Sequence, residues 1–258
     1  MDSYIMLYFI GLSINAQTHF SKGERNSWIN VNVGWGFAIL FSVQATWNIS
    51  GGQLNPAVSV MLWTFGKITF PQVIFYSIAQ TVGAFLGAAA TYIEYFDAFR
   101  TFDPNFTVTG PNATAGIFGS YPSPFVSMAG GFTDQAIGTG ILALCVAIVI
   151  DARNKIPHYA APLYLAFAVM MIGTAFGLNI GYPINPARDF GPRLFTFFFY
   201  GSSVFTYPTC IWWIMPIVGP ILGAVLGAWM YQFFAGSHIP DEKESYISVQ
   251  QDEVVVKN

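Results

Sequence analysis

The chain has 258 residues, of which 54% are hydrophobic and only 9% are charged, and its formal net charge is −3. Charged residues make up about 25% of a typical soluble domain, so the composition excludes that class and predicts an integral membrane protein. Two cysteines do not make a disulfide framework or a metal site, and no basic run favours nucleic acid. We expect a lipid bilayer around the protein, with no cofactor and no metal.

Six apolar stretches, taken in chain order, are long enough to span or nearly span a bilayer. Helices are favoured, because backbone polar groups in lipid must be hydrogen-bonded within their own segment. The alternation of apolar and polar residues that a β-barrel requires is missing from these stretches. The predicted spans are 3–20, 31–47, 73–92, 137–150, 159–177 and 211–234.

Two shorter apolar pieces, 56–65 and 186–199, each follow an Asn-Pro-Ala motif. Asn is a preferred N-cap and Pro is preferred at the first helical position, so the motif is a natural helix start. Because both pieces are too short to cross a bilayer, we predict two half-helices that enter from opposite faces. The motif residues are Asn55, Pro56, Ala57, Asn185, Pro186 and Ala187.

The paired motifs indicate an internal duplication. A second repeated sequence supports the duplication, since the Gly-Ala-Phe-Leu-Gly-Ala run at 83–88 resembles Gly-Ala-Val-Leu-Gly-Ala at 223–228. Internal repeats with Pro-interrupted apolar segments are typical of channels and transporters whose site lies where the halves meet. We predict one transmembrane domain, 1–235, with halves of approximately 1–96 and 133–235. An extracellular loop, 97–132, joins them, and a disordered cytoplasmic tail, 236–258, follows.

The two half-helices predict an electropositive gap. If their N-termini meet near the midplane, each carries about half a positive charge and the two Asn amides point donors into one space. Arg188 follows the second motif, and a cation at that depth is costly and by default functional. The alternative is that Arg188 only pairs with its neighbour Asp189 and holds the turn together.

Glycosylation acceptors suggest the orientation in the membrane. Asn105 and Asn112 each begin an Asn-X-Thr motif in the long segment between the third and fourth spans. Use of either would place this segment outside the cell, so that with six spans both termini are cytoplasmic. We expect a glycoprotein of the plasma membrane.

Four stretches carry a resemblance to the major intrinsic protein family, the aquaporins, and to its aquaglyceroporin branch. It implies an all-α membrane protein with six transmembrane helices, two re-entrant half-helices and an inverted internal repeat in a right-handed bundle. It also implies a homotetramer with one pore per subunit that conducts glycerol, water and other small neutral solutes and excludes ions and protons. The stretches are 51–58, 79–88, 118–122 and 181–195.

The resemblance also assigns the selectivity filter to four positions. It implies that Gly173 leaves space where water-selective relatives carry a histidine, and that Trp35 and Tyr182 form an apolar corner opposite Arg188. Glycerol would place its carbon backbone against the aromatic rings and its hydroxyls toward Arg188. Three further residues match the glycerol-conducting pattern: Asp189, Pro216 and Ile217.

Other functions remain open at this point. A water-selective aquaporin shares most of these features. A coupled secondary transporter also uses inverted repeats and broken helices, but it usually places ionisable groups at the midplane. An enzyme would need a nucleophile, a base or a metal cluster, and the sequence offers no such constellation.

Overall fold

The computed structural model describes residues 2–240, and the part of the predicted tail from residue 241 onward lies outside the described residues. Every regular element in the described part is helical. The α-helices are α1 (Asp2–Phe20), α2 (Trp28–Ser50), α3 (Pro56–Thr64), α4 (Phe70–Glu94), α5 (Phe96–Phe102), α6 (Met128–Ile150), α7 (Ala161–Phe176), α8 (Pro186–Tyr200), α9 (Ser203–Thr206) and α10 (Met215–Phe234).

Six of these helices correspond to the six predicted spans: α1, α2, α4, α6, α7 and α10. Helix α6 begins at Met128, nine residues before the predicted start at residue 137 and inside the predicted loop. Within the described residues, four helical segments are both long and apolar enough to cross a membrane, namely Phe70–Glu94, Met128–Ile150, His158–Phe176 and Trp212–His238. Helices α1 and α2 have 19 and 23 residues, which is long enough, but no 18-residue stretch of either reaches the hydropathy of a span. Part of the reason is that α2 carries polar residues inside the bundle, since Asn32 and Ser42 are fully buried.

The half-helices α3 and α8 begin at the Asn-Pro-Ala motifs. The Asn55 side chain accepts a hydrogen bond from the backbone N–H of Ala57 at 2.9 Å, and Asn185 does the same for Ala187 at 3.0 Å. A proline occupies the first turn of each helix, where no N–H is needed. Local chemistry therefore fixes where both half-helices start.

The two halves pack in the same order. Helix α1 packs against α2 and α4, and its counterpart α6 packs against α7 and α10. Each half-helix also crosses to the other half, since α3 packs against α10 and α8 against α4. The pairing of α2 with α7 closes the bundle around the point where α3 and α8 meet.

Glycines let these helices approach closely. A Cβ on Gly87 of α4 would lie 2.7 Å from the Cβ of Tyr8 on α1. A Cβ on Gly227 of α10 would collide with the backbone of Gly140 on α6. Small residues at such contacts are typical of helix association in lipid, where close backbone packing replaces the hydrophobic effect.

The segment 97–132, predicted as a loop, contains folded structure. Helix α5 enters it, and the fully buried Phe99 stacks on Phe118 with 5.3 Å between ring centroids. The Asp103 carboxylate accepts hydrogen bonds from the backbone N–H groups of Thr107 at 2.7 Å and Thr114 at 3.2 Å. This network holds the stretch around Phe118 against the helical bundle.

The beginning of the predicted tail is also ordered into a turn. Gly236–His238 forms a 3₁₀ turn directly after α10. The Arg153 Nη1 group donates to the carbonyl of Ile239 at 3.2 Å. The bundle therefore continues a few residues past the boundary predicted at residue 236.

Candidate functional site

Two cavities lie one behind the other through the bundle. The larger, which we call the Arg188 cavity, has a volume of about 280 Å³ and is also lined by Asn185. The smaller, the Gln53 cavity, has a volume of about 80 Å³ and is also lined by Asn55. Three apolar residues line both cavities: Ile39, Leu142 and Val169. The two cavities are therefore adjacent, and we call the line that runs through both of them, past the asparagine pair, the path.

The two motif asparagines join the half-helices reciprocally. The Asn55 Nδ2 group donates to the carbonyl of Ile184 at 2.9 Å, and the Asn185 Nδ2 group donates to the carbonyl of Leu54 at 2.9 Å. Each carbonyl belongs to the residue just before the opposite asparagine. The N-termini of α3 and α8 thus meet end to end, and both positive helix ends face the same part of the path.

Arg188 lies at the larger cavity, and its guanidinium contacts both the Phe118 carbonyl and the face of the Trp35 ring. Its Nη1 group donates to the carbonyl of Phe118 at 2.8 Å. Its guanidinium carbon lies 5.4 Å from the centroid of the Trp35 ring. Among the described residues Arg188 forms no ion pair, so its remaining N–H groups are available to a permeant.

Asp189 pairs with a different arginine. Its carboxylate accepts from Arg193 Nε at 2.8 Å and from the backbone N–H of Ser120 at 2.6 Å, and both charged side chains are fully buried. Arg193 also donates to the carbonyls of Ser120 at 2.7 Å and Val204 at 2.6 Å. Asp189 therefore pairs with Arg193, so Arg188 does not hold the turn together by pairing with Asp189.

Trp35 presents its ring rather than its N–H to the cavity. The indole Nε1 group donates to the Asn15 side chain at 3.1 Å, and Asn15 Nδ2 donates in turn to the carbonyl of Ile117 at 3.3 Å. Gly11 of α1 leaves the space that the indole occupies. Because its polar edge is already bonded, Trp35 presents only its apolar ring, and the Arg188 guanidinium lies over that ring.

Gly173 lies behind the filter and makes room for Tyr182. A Cβ at Gly173 would lie 2.5 Å from the Tyr182 Cζ atom and 2.5 Å from the Asn32 Oδ1 atom. The Gly173 carbonyl accepts from Trp28 Nε1 at 3.0 Å, and the Trp28 ring meets Tyr182 edge to face. Gly173 is not among the residues that line the Arg188 cavity, whereas Tyr182 is.

The Tyr182 hydroxyl adds a polar group to a corner that the resemblance makes apolar. It is buried and has no hydrogen-bond partner among the described residues. The side-chain nitrogen and oxygen of Asn32 are likewise unpartnered within the described part of the chain. Unsatisfied buried polar groups are rare, and these atoms have almost no accessible surface, so they lie behind the cavity wall rather than facing the cavity.

The other predicted site residues lie away from this path. Pro216 and Ile217 fall in the first turn of α10, outside both cavities. Asn105 and Asn112 are exposed on the segment between α5 and α6.

Several residues of the site were not identified from the sequence: Tyr8, Asn15, Trp28, Phe118 and Gln135. One signal was present in α1, because Tyr8, Gly11 and Asn15 are spaced by three and four residues and therefore share a helix face. Gln135 had no such signal, although its buried side chain accepts from the backbone N–H of Ile184 at 3.0 Å. Contacts of this kind depend on how distant helices pack.

The model of the family described as Major intrinsic protein matches residues 1–231. The chain belongs to the major intrinsic protein family. It is 40% identical to Aquaporin-9 of Mus musculus over 241 residues, which cover 92% of this chain and 81% of that protein. It is 36% identical to Aquaporin-10 of Homo sapiens over 232 residues, covering 89% and 77% respectively.

A solved structure of the same family shares the fold. The aquaglyceroporin from Plasmodium falciparum superposes with a TM-score of 0.80 at 29% sequence identity, covering 90% of this chain and 92% of that one. The predicted fold class, with six membrane helices and two half-helices, is confirmed, as is the resemblance to the aquaglyceroporin branch of the major intrinsic proteins. Members of this family are channels rather than enzymes.

Proposed function

We propose that this channel conducts glycerol, water and other small neutral solutes passively and excludes ions and protons. The observation that carries the proposal is the filter, where the Arg188 guanidinium and the ring of Trp35 contact each other and together line the cavity. The likeness to an aquaglyceroporin structure and to relatives named aquaporin-9 and aquaporin-10 supports it.

The filter suits a solute with one polar and one apolar side. Glycerol loses several hydrogen bonds when it leaves water, and the pore must replace them. Arg188 supplies donors, while Gly116, Gly119 and Gly181 line the cavity without side chains and so expose backbone atoms. The part of the Trp35 ring that borders the cavity gives the carbon backbone an apolar surface.

Exclusion of ions follows from fixed positive charge. A cation at the filter meets Arg188 first and then the N-terminal ends of α3 and α8, where Asn55 and Asn185 face each other. Neither barrier needs a moving part. Neutral solutes experience little of this repulsion and are admitted by size and hydrogen bonding.

Stopped-flow measurements on proteoliposomes test the proposal. We expect both water and glycerol to cross faster than in protein-free liposomes, with flux that does not saturate and needs no proton or sodium gradient. Water flux without glycerol flux would favour a water-selective aquaporin. Saturating, gradient-dependent glycerol flux would favour a coupled transporter.

Four further features belong to the proposal. The chain forms a homotetramer in the plasma membrane, with both termini cytoplasmic and the segment 97–132 extracellular and glycosylated. A single chain already contains both cavities, so each subunit would carry its own pore. Native mass measurement of the purified protein tests the tetramer, and surface biotinylation of intact cells tests the location.

A further inference from the structure

Tyr8 places a hydroxyl group at the junction of the two half-helices. The side chain is fully buried, and its Cβ sits where Gly87 of α4 leaves space. The hydroxyl donates to the Leu54 carbonyl at 3.0 Å and accepts from the Asn185 Nδ2 group at 3.1 Å. Tyr8 also borders the Arg188 cavity.

This hydroxyl makes the two sides of the junction unequal. The Leu54 carbonyl accepts from both Tyr8 and Asn185, so both of its lone pairs are used. The corresponding carbonyl of the second half, that of Ile184, accepts from Asn55 alone among the described residues. The Ile184 carbonyl therefore keeps a lone pair that the Leu54 carbonyl has given up.

The two asparagine amides differ in the same way. Asn185 Nδ2 contacts two protein acceptors, the Leu54 carbonyl and the Tyr8 hydroxyl, whereas Asn55 Nδ2 contacts one in the described part of the chain. Identical motifs thus offer a permeant different numbers of free groups. Tyr8 is the cause of both differences.

We propose that Tyr8 helps to set the selectivity between glycerol and water at the centre of the pore. It does so by withholding the Leu54 carbonyl and part of the Asn185 amide from the permeant. This inference rests on the proposed conduction of glycerol and water. A triol gives up more hydrogen bonds than water does on passing the junction, so a wall with fewer free groups disfavours glycerol more.

Tyr8→Phe tests this, because it removes the hydroxyl and keeps the ring. The freed Leu54 carbonyl and Asn185 amide can then bind a hydroxyl of glycerol. We expect the glycerol-to-water permeability ratio to rise about two- to tenfold, the range that one net hydrogen bond gives. Stopped-flow on proteoliposomes of equal protein content measures both permeabilities. Proton leak should stay at the native level, because Arg188 and both helix N-termini are unchanged.

Tyr4→Phe is the matched control, since Tyr4 lies on the same face of α1 one turn earlier and is also buried. The glycerol-to-water permeability ratio of Tyr4→Phe should equal that of the native channel. Tyr8→Met, which also lacks the hydroxyl, should follow Tyr8→Phe. The proposal is overturned if both Tyr8 variants keep the native ratio, change both permeabilities equally or fail to fold, because each result assigns Tyr8 a structural role alone.

Failure of the proposed function gives a different result. Native vesicles that pass water but no glycerol would refute glycerol conduction. Water permeability then decides the role of Tyr8. The freed Leu54 carbonyl and Asn185 amide replace hydrogen bonds that water also loses at the junction, so Tyr8→Phe should raise water permeability. An unchanged or lower water permeability in that case overturns the inference as well.

Discussion

At the scale of single residues, we propose that Arg188 is the charge that a permeant meets in the filter. Two unit charges about 5 Å apart at an effective dielectric constant of about 20 repel by about 3 kcal/mol, which corresponds to roughly a hundredfold in rate. We expect Arg188→Val to raise cation or proton leak by up to that factor while neutral flux persists. Leak is measured with a pH-sensitive dye in proteoliposomes.

Arg188→Lys is the control for this experiment. It keeps the positive charge but loses the planar set of N–H groups that reaches the Phe118 carbonyl. Leak should therefore remain low in Arg188→Lys. A correctly folded Arg188→Val channel without added leak would show that the filter charge is elsewhere.

Gly173 offers a second test at this scale, because the structure places it behind Tyr182 rather than on the cavity wall. A methyl group at Gly173 would lie 2.5 Å from the Tyr182 ring and from Asn32. The ring must then shift toward the cavity. We expect Gly173→Ala to lower glycerol permeability several-fold and to lower water permeability less. Gly173→His should widen this difference between the two permeabilities.

The comparison needs a control on the same helix. Phe167 of α7 is exposed on the outer surface of the bundle, so Phe167→Leu should leave both permeabilities unchanged. Equal glycerol permeability of Gly173→Ala and the native channel would mean that Tyr182 does not limit the passage of glycerol.

The sequence identified individual residues where local chemistry decides their place. Asn55 and Asn185 could be predicted as helix caps because a cap bonds within two or three residues of itself. Asn15 and Tyr8 could not be predicted as site residues. Asn15 meets Trp35, and Tyr8 meets Asn185, only because distant helices pack together. Gly173 illustrates the same limit, because the atoms that fill its space come from two other segments.

At the scale of helices, the close contact between α6 and α10 depends on glycines, which have no side chain to separate the two backbones. A Cβ on Gly227 would collide with the carbonyl group of Gly140. Overpacking of this kind costs about 1–3 kcal/mol or more, so we expect Gly227→Leu to lower the midpoint of thermal unfolding in detergent by several degrees. The neighbouring Leu226 is 64% exposed, and Leu226→Phe should leave the midpoint unchanged. Equal midpoints for the two variants would contradict the role of this contact.

The same two helices are also joined outside the membrane-spanning part, at Asp151. Its carboxylate accepts from Arg153 Nε at 2.9 Å and from the Tyr231 hydroxyl of α10 at 2.9 Å. Hydrogen bonding to Arg153 lowers the pKa of Asp151 from 3.8 to about 2. A lowered folded-state pKa means that the stabilisation is fully present above the ordinary carboxyl pKa and is lost as the pH falls toward the folded one.

Asp151→Asn therefore has a pH-dependent effect. Near neutral pH it should lower the midpoint of thermal unfolding, and the gap to the native protein should shrink as the pH falls from 3.8 toward about 2. Asp97→Asn, at an exposed position on α5, should produce no such gap. A gap for Asp151→Asn that does not depend on pH would contradict the proposed pairing.

Helices were predictable from the sequence where apolar length or a cap marked them. The spans and half-helices met that condition, with differences of up to four residues at their ends, except that α6 begins nine residues before its predicted start at residue 137. Helix α5 did not, because it has seven residues in a segment with glycosylation motifs, and its buried Phe99 is recognisable only once the rings of Phe20 and Phe118 surround it.

At the scale of the whole molecule, two similar halves produce a pore with unlike ends. The exchange of α3 and α8 between the halves is symmetric, and so are the two asparagine caps. The filter is not symmetric, because the first motif is followed by Val58 where the second is followed by Arg188. Phe118, which holds Arg188, comes from the connecting segment, a part that neither repeat contains. On the proposed function, selectivity therefore resides where the symmetry is broken.

That connecting segment also determines the orientation that we expect in the membrane. Asn105 and Asn112 are exposed and lie on the segment between α5 and α6. If this segment is extracellular, one or both acceptors carry a glycan in a eukaryotic host, and an endoglycosidase should increase electrophoretic mobility. Replacement of both residues by Gln should abolish the shift. Asn48, in a third acceptor motif at the other end of the path near Gln53, should stay unmodified, so Asn48→Gln should migrate like the native protein. A glycan on Asn48 instead would reverse the orientation and place the Arg188 cavity on the cytoplasmic side.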